Sequence, residues 1–192
     1  MKNVAATLFF VAFCLLGCQS SEPDMNLENF KYETTAVLVL DELGADEIPK
    51  EIGQLTHAES IIIHATRPEG EFQFYPPVSW YERRELKPPF RTLPIRTLPK
   101  EIGQLKNLKS LSLVNLDIHE LPTTFSQLES LEHLDISLNK LDLTKELPKL
   151  RNLPNLKHLA VWGNHFDEAQ MQKFQADFPE LEFNYKSKED PS

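Results

Sequence analysis

Pro49-Lys50-Glu51-Ile52-Gly53-Gln54-Leu55 recurs residue for residue as Pro99-Lys100-Glu101-Ile102-Gly103-Gln104-Leu105, and each copy feeds a run in which apolar residues recur as L-x-x-L-x-L. A unit of about 23 residues, built from a short strand and a returning loop, cannot bury its own apolar face and becomes stable by stacking on copies of itself. The repeat therefore predicts a stack of coils rather than a globule with a single central core.

Written as L-x-x-L-x-L-x-x-N-x-L, the clearest units start at Leu108 (with Leu111, Leu113 and Ile118), Leu131 (Leu134, Ile136, Asn139, Leu141) and Leu156 (Leu159, Val161, Asn164, Phe166). Weaker units start at Thr35 (Leu38, Leu40, Leu43), Ala58 (Ile61, Ile63, Thr66) and Glu85 (Phe90, Leu93, Ile95), while Phe178, Leu181 and Phe183 mark a terminal strand. The returning segments carry Ile48-Pro49, Leu98-Pro99, Leu121-Pro122 and Leu147-Pro148. Proline has no N–H to give a sheet ladder, so these segments stay out of the sheet, and apolar residues spaced by three, such as Ile102, Leu105 and Leu108, point inward.

Over roughly residues 35–185 the pattern resembles the leucine-rich-repeat family in its 23-residue form with L-P-x-x-I-G-x-L. The resemblance implies an α/β fold: a right-handed solenoid of six or seven units with a parallel, concave sheet. It also implies an asparagine ladder inside the turns, matched by Asn139 and Asn164 and interrupted at Leu93 and Leu116, with Thr66 as a hydroxyl substitute.

Two segments break the period. The step from Ala58 to Glu85 is four residues longer than 23 and contains Phe72, Phe74, Tyr75, Trp80 and Tyr81, which either fill a widened core layer or form a binding loop. Near the C-terminus, Asp167 followed three residues later by Gln170 is a capping-box pattern; it predicts a helix to about Asp177 whose Met171, Phe174 and Phe178 close the core.

The chain starts with Lys2 and an apolar run from Val4 to Leu16, too short for the ~20 residues of a membrane span. Leu15-Leu16-Gly17-Cys18 resembles the lipobox of bacterial lipoproteins, which implies cleavage before Cys18 and its lipidation. The expected organisation is a signal peptide over 1–17, a lipid-anchored tether over 18–32, the repeat domain over 33–185 and a disordered tail over 186–192. Gln19 after Cys18 resembles lipoproteins sent to an outer membrane, so the expected location is the bacterial cell envelope.

Cys14 and Cys18 are the two cysteines, so loss of the first and lipidation of the second leave no thiol for disulfides, nucleophilic catalysis or metal ligation. The net charge of −9, or −10 once Lys2 is removed, repels nucleic-acid phosphate. No phosphate-binding glycine loop, nucleophile elbow or H-E-x-x-H occurs, and His57-Ala58-Glu59 lacks the cysteine pair of a zinc deaminase. A non-catalytic binding module with a protein partner and no cofactor is the expectation. Its alternatives are an envelope enzyme or metal-dependent glycan-processing protein, and a purely structural spacer.

In a parallel stack the outward strand positions form columns with a spacing of about 4.8 Å. The expected columns are Val37, Ser60, Lys87, Ser110, His133, His158, Glu180; then Val39, Ile62, Pro89, Ser112, Asp135, Ala160, Glu182; then Asp41, His64, Arg91, Val114, Ser137, Trp162, Asn184. Polar chemistry gathers at the C-terminal end, so the candidate partner-binding residues are Asp135, His158, Trp162 and Glu182, with Cys18 as the site of lipid attachment and no metal site.

Overall fold

A computed structural model describes residues 27–65 and 95–186. Six strands, β1 (Thr35–Val39), β2 (Ser60–His64), β3 (Ser110–Ser112), β4 (His133–Asp135), β5 (His158–Ala160) and β6 (Glu182–Asn184), form one sheet in sequential order with every pairing parallel. This is the α/β leucine-rich-repeat solenoid that the repeat implied. Alternation explains the strands: Ile61, Leu111, Leu134 and Leu159 form one inward column, and Ile63, Leu113, Ile136 and Val161 the next, each at most 2% exposed.

On the opposite side, Pro49, Pro99 and Pro122 hold extended backbone, with φ of −71°, −65° and −64°, and each starts a single-turn 3-10 helix at Lys50–Gln54, Lys100–Gln104 or Thr123–Gln127. Their buried anchors are Ile52, Ile102 and Phe125. In the later coils α-helices replace these turns: α1 (Leu143–Leu150), which buries Leu143, Leu147 and Leu150, and α2 (Glu168–Asp177). The Asp167 carboxylate accepts from the Gln170 N–H at 3.0 Å, and Met171 and Phe174 are buried, so α2 caps the core as its sequence predicts.

The stacking corrects the expected columns. Ser60, Ile61 and Ile62 pair directly with Ser110, Leu111 and Ser112, so no strand of another unit lies between them; Lys87, Pro89 and Arg91, expected in the columns, lie outside the described residues. The chain resumes at Ile95, whose N–H donates to the Leu116 carbonyl, and Thr97 bridges to Glu120. The step from Ile63 to Ile95 is 32 residues where that from Leu113 to Ile118 is 5, a difference of 27. A 50-residue step between Ile61 and Leu111 imitates two repeats, which is why a 23-residue template misreads it. Phe72, Phe74, Tyr75, Trp80 and Tyr81 lie outside the described residues, as do Cys18, Thr66, Phe90 and Leu93.

The two identical heptapeptides therefore lie side by side, with Gly53 of the first against Glu101 and Gln104 of the second, while Gly103 of the second lies against Thr124 of the next turn. A Cβ on Gly53 would meet Gln104 Oε1 at 2.7 Å and the Glu101 carbonyl oxygen at 2.9 Å; one on Gly103 would meet the Thr124 carbonyl oxygen at 2.5 Å. Here glycine serves close backbone approach rather than a left-handed conformation.

The register also differs at both ends. Thr35 pairs with Ser60 and Val37 with Ile62, while Glu182 pairs with His158 and Asn184 with Ala160. Both terminal strands are displaced by two residues from the expected columns, because small Ala36 takes an inward position and Phe183 the position in line with Leu159. Within the expected tether of 18–32, Leu27–Phe30 forms a 3-10 turn with Leu27 buried and Phe30 packed on the core, so these residues belong to the fold. At the other end Lys186, expected in the tail, pairs with Glu168 at 2.9 Å.

Candidate binding site on the concave face

The outward column at the N-terminal ends of the strands reads Thr35, Ser60, Ser110, His133, His158, Glu182. Hydroxyls give way to imidazoles and then to a carboxylate. His133 and His158 stack with centroids 4.4 Å apart and planes 7° from parallel, as the parallel register of β4 and β5 requires. His158 Nδ1 lies 2.5 Å from Glu182 Oε2, and the neighbouring Glu132 and Lys157 pair at 2.6 Å.

Burial holds the His133 pKa below the ordinary imidazole range, with the His158 charge adding to the effect; burial and then the Lys157 ammonium do the same for His158. The lowered values favour the neutral rings, and His158 donates Nδ1–H to Glu182. Glu132 is held below the usual carboxylate range by its hydrogen bond from Lys157.

One strand position further on, Asp135 is only 7% exposed and accepts the Ser137 N–H at 3.0 Å, which orients its carboxylate. Trp162 follows β5 and is half-buried; the Leu138 N–H donates to its carbonyl at 2.8 Å. Asp135, His158, Ala160, Trp162, Glu182 and Asn184 line a concavity of about 50 Å³. The four residues singled out from sequence thus line one hollow. Glu180, expected in the same column, is exposed in the turn before β6, and Glu182 takes its place. Asn184, expected in the column of Trp162, pairs instead with Ala160 and still lines the hollow.

A second, wider concavity of about 240 Å³ is lined by Thr35, Glu59, Ser60, Lys109, Glu132 and His133 among others. Its charges are paired: Lys109 with Glu59 at 3.0 Å and Glu132 with Lys157. Among the described residues, no three His, Cys, Asp or Glu side chains converge to hold a metal ion, and no helix is long and apolar enough to cross a membrane.

The face is held rigid from beneath by the asparagine ladder. Asn139 Oδ1 accepts the Leu116 and Ile118 N–H groups at 3.0 and 3.1 Å, and Nδ2 donates to the Leu113, Ile136 and Ser137 carbonyls. Asn164 Oδ1 accepts the Leu141 N–H at 3.1 Å, and its Nδ2 donates to Ile136 and Val161. Where Leu116 breaks the ladder the turn is irregular, with Asn115 and Asp117 both at φ 58°. The turn before Trp162 holds Leu138 at φ 57°, and Gly163 takes φ 74° with no room for a Cβ against Leu138.

No family model matches the chain. The volume-regulated anion channel subunit LRRC8B of Mus musculus is 34% identical over 64 residues, 33% of this chain and 8% of the relative. The leucine-rich repeat and WD repeat-containing protein 1 of Xenopus tropicalis is 41% identical over 88 residues, 44% of this chain and 12% of the relative. The chain thus spans about a tenth of the length of these curated relatives. Among solved structures, an LRR protein of Leptospira interrogans superposes with a TM-score of 0.52 at 25% identity, covering 72% of this chain and 28% of that one. An internalin of Listeria monocytogenes superposes with a TM-score of 0.50 at 15% identity, covering 74% and 32%. Repeat sequence, strand order and these likenesses agree that the chain carries the leucine-rich-repeat fold.

Proposed function

We propose that this protein is a non-catalytic binding module, tethered to a bacterial membrane through lipid on Cys18, that captures a protein partner on the C-terminal half of its concave face. The observation that carries the reading is the hollow in which Asp135, His158, Trp162 and Glu182 converge from β4, β5, the turn after β5, and β6. An indole beside oriented carboxylates, on a sheet whose inner side is a continuous apolar core, combines an anchor for a partner with a stiff support. Multiple acyl chains on Cys18 supply firm attachment without a basic patch, which suits the acidic chain.

Cross-linking on intact cells, followed by identification of the captured protein, tests the binding role. Trp162→Ala should abolish capture, whereas Glu129→Ala, on an exposed turn away from the hollow, should leave it intact. Equal capture by both variants refutes the site. Cys18→Ser should move the protein from the detergent phase to the aqueous phase; a substituted protein still in the detergent phase refutes the lipid anchor.

A further inference from the structure

The hollow has a charge character that specifies its occupant. Among the described residues its lining holds two carboxylates, Asp135 and Glu182, and an indole, with no lysine or arginine. The lysines that flank these strands in sequence are engaged elsewhere: Lys157 with Glu132 at 2.6 Å and Lys186 with Glu168 at 2.9 Å. Asp135 is largely withdrawn from water, and its orientation is held by the Ser137 amide. Glu182 accepts from His158 Nδ1. A half-buried indole beside two carboxylates is suited to a planar cation, which gains ion pairing and a ring face together.

We infer that the hollow formed by Asp135, Trp162, Glu182 and Asn184 receives an arginine side chain of the partner protein. The inference rests on the binding reading above and adds the chemistry of the anchor. The concavity of about 50 Å³ suits the head of one side chain rather than a folded element, so the rest of the partner lies across the sheet. Asn184 supplies an amide oxygen for a guanidinium N–H that the carboxylates leave free. Lysine carries the same charge but lacks the planar fork, so it ranks second.

The test uses the full chain in detergent micelles and two peptides, acetyl-Gly-Arg-Gly-amide and its citrulline counterpart, which is nearly isosteric and uncharged. The readout is the Trp162 indole N–H in a nitrogen–proton correlation spectrum, told apart from the Trp80 signal by its loss in Trp162→Phe. The arginine peptide should shift the Trp162 resonance saturably, with a Kd on the order of 1–10 mM as expected for one ion pair plus a cation–π contact. The citrulline peptide should bind at least about tenfold more weakly, and Glu182→Gln, which keeps the hydrogen bond from His158, should weaken the arginine peptide by about three- to tenfold. An equal response to both peptides, or none from Trp162 up to about ten times that Kd, overturns the arginine assignment. If Trp162→Ala still abolishes capture of the cellular partner, the arginine assignment alone has failed; if capture survives as well, the binding reading fails with it.

Discussion

Asn139 is the residue whose loss should be felt furthest beyond its own size. Its Oδ1 is the acceptor for two amides, Leu116 and Ile118, in residues with no exposed surface. Asn139→Ala removes that acceptor and leaves both N–H groups buried. Of the carbonyls on its donor side, Ile136 keeps Asn164 Nδ2 at 2.9 Å and Ser137 keeps the Asn115 N–H at 3.1 Å, while the buried Leu113 carbonyl loses its 2.8 Å donor. The two amides cost about 1–3 kcal/mol each, or about 2–6 kcal/mol together, and the Leu113 carbonyl adds to this, a large share of the ~5–15 kcal/mol that stabilises a typical domain. Urea unfolding followed by circular dichroism measures it, with exposed Lys140→Ala as the control expected within about 0.5 kcal/mol of wild type. Hydrogen exchange should accelerate selectively at Leu116 and Ile118. A loss under about 1 kcal/mol for Asn139→Ala, with protection at those amides unchanged, refutes the ladder as a stabilising device.

The close approach of Gly53 to Glu101 and Gln104, and of Gly103 to Thr124, makes Gly53→Ala and Gly103→Ala destabilising by about 1–3 kcal/mol each through steric overlap; a silent Gly53→Ala would mean that Glu101 and Gln104 are not its neighbours. Leu134, 2% exposed, should cost about 2–5 kcal/mol on truncation to alanine, whereas Glu132→Ala should cost almost nothing because its pairing with Lys157 is solvent-exposed. Equal urea midpoints for those two variants would contradict the strand register. His133 and His158 have folded pKa values below the ordinary 6.5, so the folded chain binds fewer protons than the unfolded one as pH falls. Their contribution is complete above about pH 6.5 and is lost as pH drops through the folded values, so the urea midpoint should be lower at pH 5.5 than at pH 7.5. A His133→Gln/His158→Gln variant should flatten that dependence, and an unchanged slope would exclude the stacked pair as its source.

Much of this molecule is legible without coordinates because a solenoid makes long-range packing nearly local. Each coil meets only its neighbours, so Leu111, Leu134 and Leu159 announce their column by spacing alone, and Asn139 and Asn164 announce the ladder. The grouping of Asp135, His158, Trp162 and Glu182 followed from the same periodicity.

Tertiary structure decided matters where apolar spacing has two solutions. Ala36 and Phe183 take inward strand positions that a leucine template assigns elsewhere, because an end strand is set by pairing with the coil beside it rather than by its own strongest apolar residues. The direct contact of β2 with β3 is likewise invisible to periodicity: extra residues between strands cost little closure entropy, while Gly53 allows the two heptapeptide turns to close on each other. Sequence by itself determined the repeat, the inward columns and the chemistry available on the face. Only the fold decided which coils are neighbours, because that depends on backbone pairing across 50 residues, which no local pattern encodes.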